Sequence, residues 1–271
     1  METKKNEKNI RFIKISSSES GYIFIFGICQ PMFRPFFIFS FSVFLLLLTF
    51  TSKAQEISAE TSHEKKNFWQ WETLTGDWGG ARNYLVDHGV QFEMTYTGEV
   101  WGNISGGISK GAVYLDNTNL VLSLDLEKLV HWKGASFSLY GLGNWGGSPT
   151  EKTGVAQGTS NIDAPDAWKL YEVWLQQNFL DDRISLKTGL VDLNSEFDNI
   201  QTNRLFLNPS QGIGVDFAQT GVNGPSIFPT TSLAGRIEFY PIKNMYVKVG
   251  LFDGVPGDPN HPHSTQIKFH N

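Results

Sequence analysis

Cysteine is all but missing from this chain. Its single thiol, Cys29, lies near the N-terminus, which excludes a disulfide scaffold, a thiol enzyme built on the rest of the chain, and a Cys-ligated zinc or iron–sulfur site. Basic residues are scarce as well. Met1–Ala54 holds seven Lys/Arg against three Asp/Glu, and the remaining 217 residues carry 15 Lys/Arg against 24 Asp/Glu, a net charge of −9. A broad nucleic-acid-binding face is therefore excluded, because phosphate neutralisation needs clustered Lys and Arg. After Phe50 there is also no run of the roughly 20 apolar residues that a transmembrane helix requires. His261 and His263 sit in a Pro/Asp-rich tail without fixed partners, so no metal centre is expected, and nothing implies a cofactor.

What the chain does have begins with an address. Phe36–Phe50 is nearly continuous Phe, Ile, Val and Leu, and Thr51-Ser52-Lys53-Ala54 follows it. A run of about fifteen residues is short for a membrane span, and Ser-x-Ala fits a signal-peptidase site, with cleavage expected after Ala54. An uncleaved anchor is the alternative. Residues 1–54 thus read as an N-terminal extension and signal peptide, with Met32 a possible true start. Residues 55–76 read as a polar linker. Residues 77–89 read as a short helix, capped by Asp77, with Tyr84, Leu85 and His88 on one face and Gly89 as its stop.

From Val90 on, apolar and polar residues alternate with the period of a strand. In Val90–Trp101, Val90, Phe92, Met94, Tyr96 and Val100 oppose Gln91, Glu93, Thr95, Thr97 and Glu99. Further strands are predicted over Tyr114–Glu127, Ala135–Trp145, Trp168–Phe179, Ile184–Leu193, Leu233–Tyr240 and Met245–Phe252. A soluble sandwich would alternate too. The connections separate the two, because long ones (Gly102–Val113, Gly146–Ala167, Asn194–Ser232) alternate with short ones (Lys128–Gly134, Leu180–Arg183, Pro241–Asn244). That is the habit of an outer-membrane up-and-down barrel, with short periplasmic turns and long external loops.

The fold class is therefore all-β, an antiparallel transmembrane outer-membrane β-barrel. With the apolar face on lipid, the lumen receives Glu93, Glu99, Asp125, Glu172, Lys187, Arg236, Glu238 and Lys248. Only water can solvate such a wall, which implies a channel. Trp101, Trp132, Phe179 and Tyr240 fit aromatic girdles at the interfaces.

Several stretches resemble the carbohydrate-selective porin family, the OprB type. They include Leu74-Thr75-Gly76-Asp77-Trp78-Gly79-Gly80-Ala81-Arg82, Tyr96-Thr97-Gly98-Glu99-Val100, Gly141-Leu142-Gly143-Asn144, Gln177-Asn178-Phe179-Leu180-Asp181 and Leu193-Asn194-Ser195-Glu196-Phe197. Asn223–Ser232 and Asp253–Pro259 continue the likeness. The resemblance implies a sixteen-stranded barrel with loops folded inward, and passive diffusion of monosaccharides and related sugars. It implies location in the outer membrane of a Gram-negative-type cell, with outer-membrane lipid around the wall and sugars as permeating solutes. It does not give the oligomeric state. About seven strands are countable here, so the barrel is expected to be incomplete and the chain to be the N-terminal part of a longer one.

The loop Asn194–Ser232, 39 residues long, is the best candidate for a constriction. Sugar hydroxyls need in-plane donors and acceptors, and the ring's C–H surface needs an aromatic face. On this ground Glu172, Trp174, Lys187, Glu196, Asp198, Arg204 and Arg236 are the candidates to line the solute path; for each, a solvated charge or a girdle Trp is the plainer alternative. Glu196 and Asp198 are also a conceivable glycosidase pair, but at i, i+2 in a flexible loop nothing holds them across a bond, and no catalytic residue is expected. A general, weakly cation-preferring porin is the nearest rival, and a secreted β-rich sugar-binding or hydrolytic protein is the rival of another class.

Overall fold

The computed structural model describes residues 13–16, 22–29, 71, 73–200, 205–268 and 270. The apolar run Phe36–Phe50, the cleavage site after Ala54, linker residues 55–70 and Arg204 lie outside the described residues.

The sheet is antiparallel throughout. Two short strands come first, β1 (Ile13–Ser16) and β2 (Tyr22–Cys29). Seven follow: β3 (Val90–Asn103), β4 (Gly111–Asp125), β5 (Ala135–Gly146), β6 (Ala167–Phe179), β7 (Ile184–Val191), β8 (Ser232–Ile242) and β9 (Met245–Asp253). The strand order is β1-β2-β9-β8-β7-β6-β5-β4-β3, so the seven strands from Val90 form a meander of sequential hairpins, open at β3. Along the far side of β9, Tyr22–Cys29 supplies backbone partners for Tyr246–Asp253.

The first hairpin is longer than alternation predicts, because pairing continues through Gly102↔Ala112 to Asn103↔Gly111. Its loop shrinks to residues 104–110. The β4–β5 connection, expected as a bare turn after Glu127, instead contains the helix α2 (Leu126–Val130). Asp125 causes this: its carboxylate accepts the N–H of Glu127 at 3.0 Å and of Lys128 at 3.2 Å, satisfying donors that a strand would have sent to a neighbour.

Ahead of β3, the helix α1 spans Ala81–Asp87. Asp77 does not cap it. The N-cap is Gly80, without a side-chain bond, while Asp77 accepts the N–H of Gly79. The preceding residues form a knot around Arg82, whose guanidinium donates to the Thr73 hydroxyl and the Gly76 carbonyl and lies 5.4 Å from the centre of the Trp78 ring.

The two faces of the sheet invert the rule of a water-soluble protein. On β8, Ile237 is 52% exposed while Arg236 beside it is 4% exposed. Met94, Tyr96 and Val100 on β3, Leu139 on β5 and Leu186 on β7 are likewise exposed, whereas Glu238 and Lys169 are buried. An apolar stripe facing outward across successive strands needs an apolar surrounding, and an open antiparallel meander of this kind is part of a barrel wall. Two of the expected girdle residues turn the other way. The Trp101 indole donates to Glu99 at 2.6 Å and the Tyr240 hydroxyl donates to Glu238 at 2.7 Å, so both join the charged face.

Candidate functional site

The charged face is covered by the loop joining β7 to β8, residues 192–231. Two features fold it inward. One is apolar: Leu193, Phe197 and Ile213 of the loop bury themselves against Val191, Ala234 and Phe252 of the wall. Phe197 meets Phe252 edge to face, ring centres 6.1 Å apart. Burying each such side chain stabilises by roughly 1.5–3 kcal/mol. The other feature is a clasp at the loop's root. Ser226 donates its hydroxyl to the Val191 carbonyl at 2.7 Å and accepts the Ser232 N–H at 2.7 Å, and its own carbonyl accepts the Leu193 N–H at 2.7 Å.

So held, the loop's first turn is α3 (Leu193–Glu196), capped by Asp192, whose carboxylate accepts the Asn194 N–H at 2.8 Å. The turn aims Glu196 at three cations on three consecutive strands. Lys187 of β7 bonds its carboxylate; Arg236 Nε of β8 lies 2.9 Å from Oε2; Lys248 of β9 donates to Oε2 at 3.0 Å and to the Glu196 carbonyl at 3.1 Å. Cross-strand register makes the cluster, since Lys187 faces Arg236 and Glu238 faces Lys248. Glu238 adds a second carboxylate, 3.4 Å from Arg236. Gln176 accepts from Arg236 at 3.1 Å, and Lys187 Nζ stands 4.0 Å from the centre of the Trp174 ring. Trp174 pairs with Gly189 across the strands, where φ is +137° and an added Cβ would lie 2.0 Å from the Val173 carbonyl oxygen.

The electrostatics follow from this packing. Burial opposes ionisation of Glu196, yet Lys187, Lys248 and Arg236 together hold its carboxyl well below the usual carboxylate range. Asp192 behaves in the opposite sense. Burial, reinforced by the neighbouring Glu172 carboxylate, pushes it up to about 7. Glu172 accepts the Asp192 N–H at 2.8 Å, so the two carboxyls share the loop's root. Burial also raises Asp198.

A second loop, residues 147–166, leans onto the same face. Ser160 donates to Glu99 at 2.6 Å, Gln157 to the Ile213 carbonyl at 2.5 Å, and Asn161 to the Phe206 carbonyl at 2.8 Å. Between the two loops lies a cavity of about 870 Å³, with Ser148, Asn161, Asp163, Asn194, Ile213 and Phe228 among its lining residues.

The family model described as "Carbohydrate-selective porin, OprB family" matches residues 109–271. The chain belongs to that family. Among curated relatives it is 27% identical to Porin B of Pseudomonas aeruginosa over 205 residues, which is 68% of this chain and 42% of the relative. Among solved structures it is similar to the high-pH structure of Pseudomonas putida OprB, at 27% identity and a TM-score of 0.59, over 66% of this chain and 44% of that one. The chain thus spans less than half the length of these OprB relatives.

Within this OprB-family wall, four of the candidate path residues come together: Trp174, Lys187, Glu196 and Arg236. Glu172 stands beside them at the root of the loop. Asp198 is not in the cluster; its backbone is left-handed, φ +56°, and its carbonyl accepts the Asn194 amide at 3.2 Å. Arg204 lies outside the described residues. Sequence reasoning placed Lys248 and Glu238 on the wall but not in the site, and passed over Asp192 and Gln176. Parity had already put Gln176 on the face of Trp174. Asp192 carried no such signal, because its role depends on the depth at which the loop roots.

Proposed function

We propose that this chain forms the wall of an outer-membrane channel through which monosaccharides and related sugars diffuse down their gradient, without an energy source. The inward loop narrows the passage, and Glu172, Trp174, Lys187, Glu196, Asp198, Arg204 and Arg236 line it. The observation that carries the reading is Glu196 seated on Lys187, Arg236 and Lys248 beside the Trp174 ring. It sets fixed donors, fixed acceptors and an aromatic face together on the water-facing side of a wall whose other side is apolar. Export by a signal peptide cleaved after Ala54, which would remove β1 and β2 from the edge of β9, and residence in the outer membrane of a Gram-negative-type cell belong to the same proposal.

The test is uptake by vesicles. Lipid vesicles containing the full chain should swell faster in D-glucose than in an isotonic disaccharide, and saturably. Swelling equal to that of protein-free vesicles, or recovery of the protein in the soluble periplasmic fraction, overturns the reading. A sugar-independent conductance with a cation-selective reversal potential replaces it with a general porin.

A further inference from the structure

The cations of the charged face differ in one respect. Lys187, Arg236 and Lys248 each have a carboxylate within 4.0 Å. Lys169, third residue of β6 and 7% exposed, has none among the described residues. Its ammonium donates to the Thr230 hydroxyl at 2.9 Å, which leaves two of its three N–H donors open. An ammonium withdrawn from water without an opposite charge is destabilised, and here those open donors face a pocket.

The pocket has a volume of about 220 Å³ and lies between the base of the β7–β8 loop and the residues following β9, lined by Asn223, Phe228, Pro229, Thr230, Asp258 and Ser264 together with Lys169. Asp258 does not neutralise Lys169. Its carboxylate accepts the Asn260 N–H at 2.9 Å and faces His261 Nδ1 at 3.1 Å and Lys268 Nζ at 3.4 Å. The remaining walls suit a small hydroxylated body: a hydroxyl and an amide for its polar edge, and the Phe228 and Pro229 rings for its C–H face. With one uncompensated positive charge in the pocket, a monoanion balances the site, whereas a phosphate dianion would leave one negative charge unpaired beside the Asp258 carboxylate.

We propose that this pocket binds the carboxylate of a sugar acid, an aldonate or uronate, with Lys169 as the ion-pairing residue and Thr230 as its positioning residue. The site lies outside the Glu196 cluster and rests on the channel reading only for the side of the membrane that it faces.

The test uses the full chain folded in detergent micelles, with D-gluconate as probe and D-glucose as control, read by calorimetry and by ligand-observed magnetisation transfer. Wild-type protein should bind D-gluconate, more weakly as sodium chloride rises. Lys169→Gln should weaken that binding at least tenfold and leave any D-glucose signal unchanged, while Lys169→Arg should retain it. Equal gluconate binding by wild type and Lys169→Gln, or no binding by wild type, overturns the site. Should Lys169→Gln fail to fold, the wild-type salt dependence and Lys169→Arg decide: gluconate binding indifferent to salt, or lost in Lys169→Arg with the fold intact, overturns it. Vesicle swelling in D-glucose is measured separately. Swelling without gluconate binding removes the site alone, and gluconate binding without swelling removes the channel reading alone.

Discussion

Glu196 and Arg236, forty residues apart in sequence, meet on the charged face of the sheet: the guanidinium Nε lies 2.9 Å from the carboxylate Oε2, with the two side chains 3% and 6% exposed. The contact joins a loop to the wall it covers, and the same carboxylate also holds Lys187 and Lys248. Three buried positive charges therefore share two carboxylates: Glu196 touches all three, and Glu238 lies 3.4 Å from Arg236 and 3.8 Å from Lys248, so Lys187 alone depends on Glu196.

Glu196→Gln should accordingly release the loop. Glu238 stays beside Arg236 and Lys248, but Lys187 loses its carboxylate, and breaking a buried pair in this way typically costs about 3–5 kcal/mol. Strand pairing does not pass through Glu196, so the strands should persist while the loop, left with its apolar contacts and the Ser226 clasp, loosens from the wall. Thermal unfolding in detergent should shift down, and limited proteolysis should cut within residues 197–225 in the variant before it cuts the wild type. A variant as resistant as wild type would show that the apolar dock alone holds the loop.

Gly189→Ala tests the wall beneath the cluster. At φ +137° a side chain is strained, and the new Cβ would lie 2.0 Å from the Val173 carbonyl oxygen. Relief requires β6 and β7 to separate where Trp174 and Lys187 stack. The folded fraction, read as a heat-modifiable band on a gel, should fall well below that of an alanine at the unencumbered Gly235, which has no atom within 4 Å of its added Cβ.

The two loop carboxyls titrate in opposite senses. Folding raises Asp192 from 3.8 to about 7, so the folded chain keeps a proton that the unfolded chain has released. Its contribution to stability therefore declines as pH rises from about 4 to about 7. Folding depresses Glu196 from 4.5, so its contribution is present above that value and is lost as pH falls below it. Together they put the stability maximum of the loop between about pH 4 and 5. Asp192→Asn keeps an oxygen for the Asn194 N–H and removes the titration. Its melting temperature should hold level between pH 5 and pH 7 where the wild type declines; parallel curves would refute the assignment.

Much of this arrangement is legible in the amino-acid sequence. Alternation located all seven strands from Val90 to within a few residues, and parity placed Lys187, Arg236 and Lys248 on the polar face. It failed at Leu126 and Glu127, where the leucine spacing continues but Asp125 caps a helix, a local side-chain bond overriding periodicity. What parity cannot supply is register. Lys187 opposite Arg236, and Glu238 opposite Lys248, are properties of strand pairing. The inward fold of the long loop had a readable trace in Phe252, an apolar residue sharing the face of Lys248. Its partners Phe197 and Ile213 lie in a segment without period, so their contact had no sequence signature.

Trp174 carries the most direct test of the solute path. Its ring stands 4.0 Å from Lys187 Nζ, and its neighbours on the face are Glu172 and Gln176. On the proposed path this site would offer a sugar an aromatic plane for its C–H surface and charged groups at the edge for its hydroxyls. Trp174→Leu preserves an apolar side chain of smaller reach and removes both the stacking plane and the cation–π partner of Lys187. The half-saturating D-glucose concentration for vesicle swelling should rise about tenfold, a loss of about 1.4 kcal/mol, and ion conductance should increase as the passage widens. Lys187→Met, with the ring intact, should alter ion selectivity far more than sugar saturation. If Trp174→Leu leaves saturation unchanged while Lys187→Met changes it, the charged edge alone recognises the solute and the ring serves only to position Lys187.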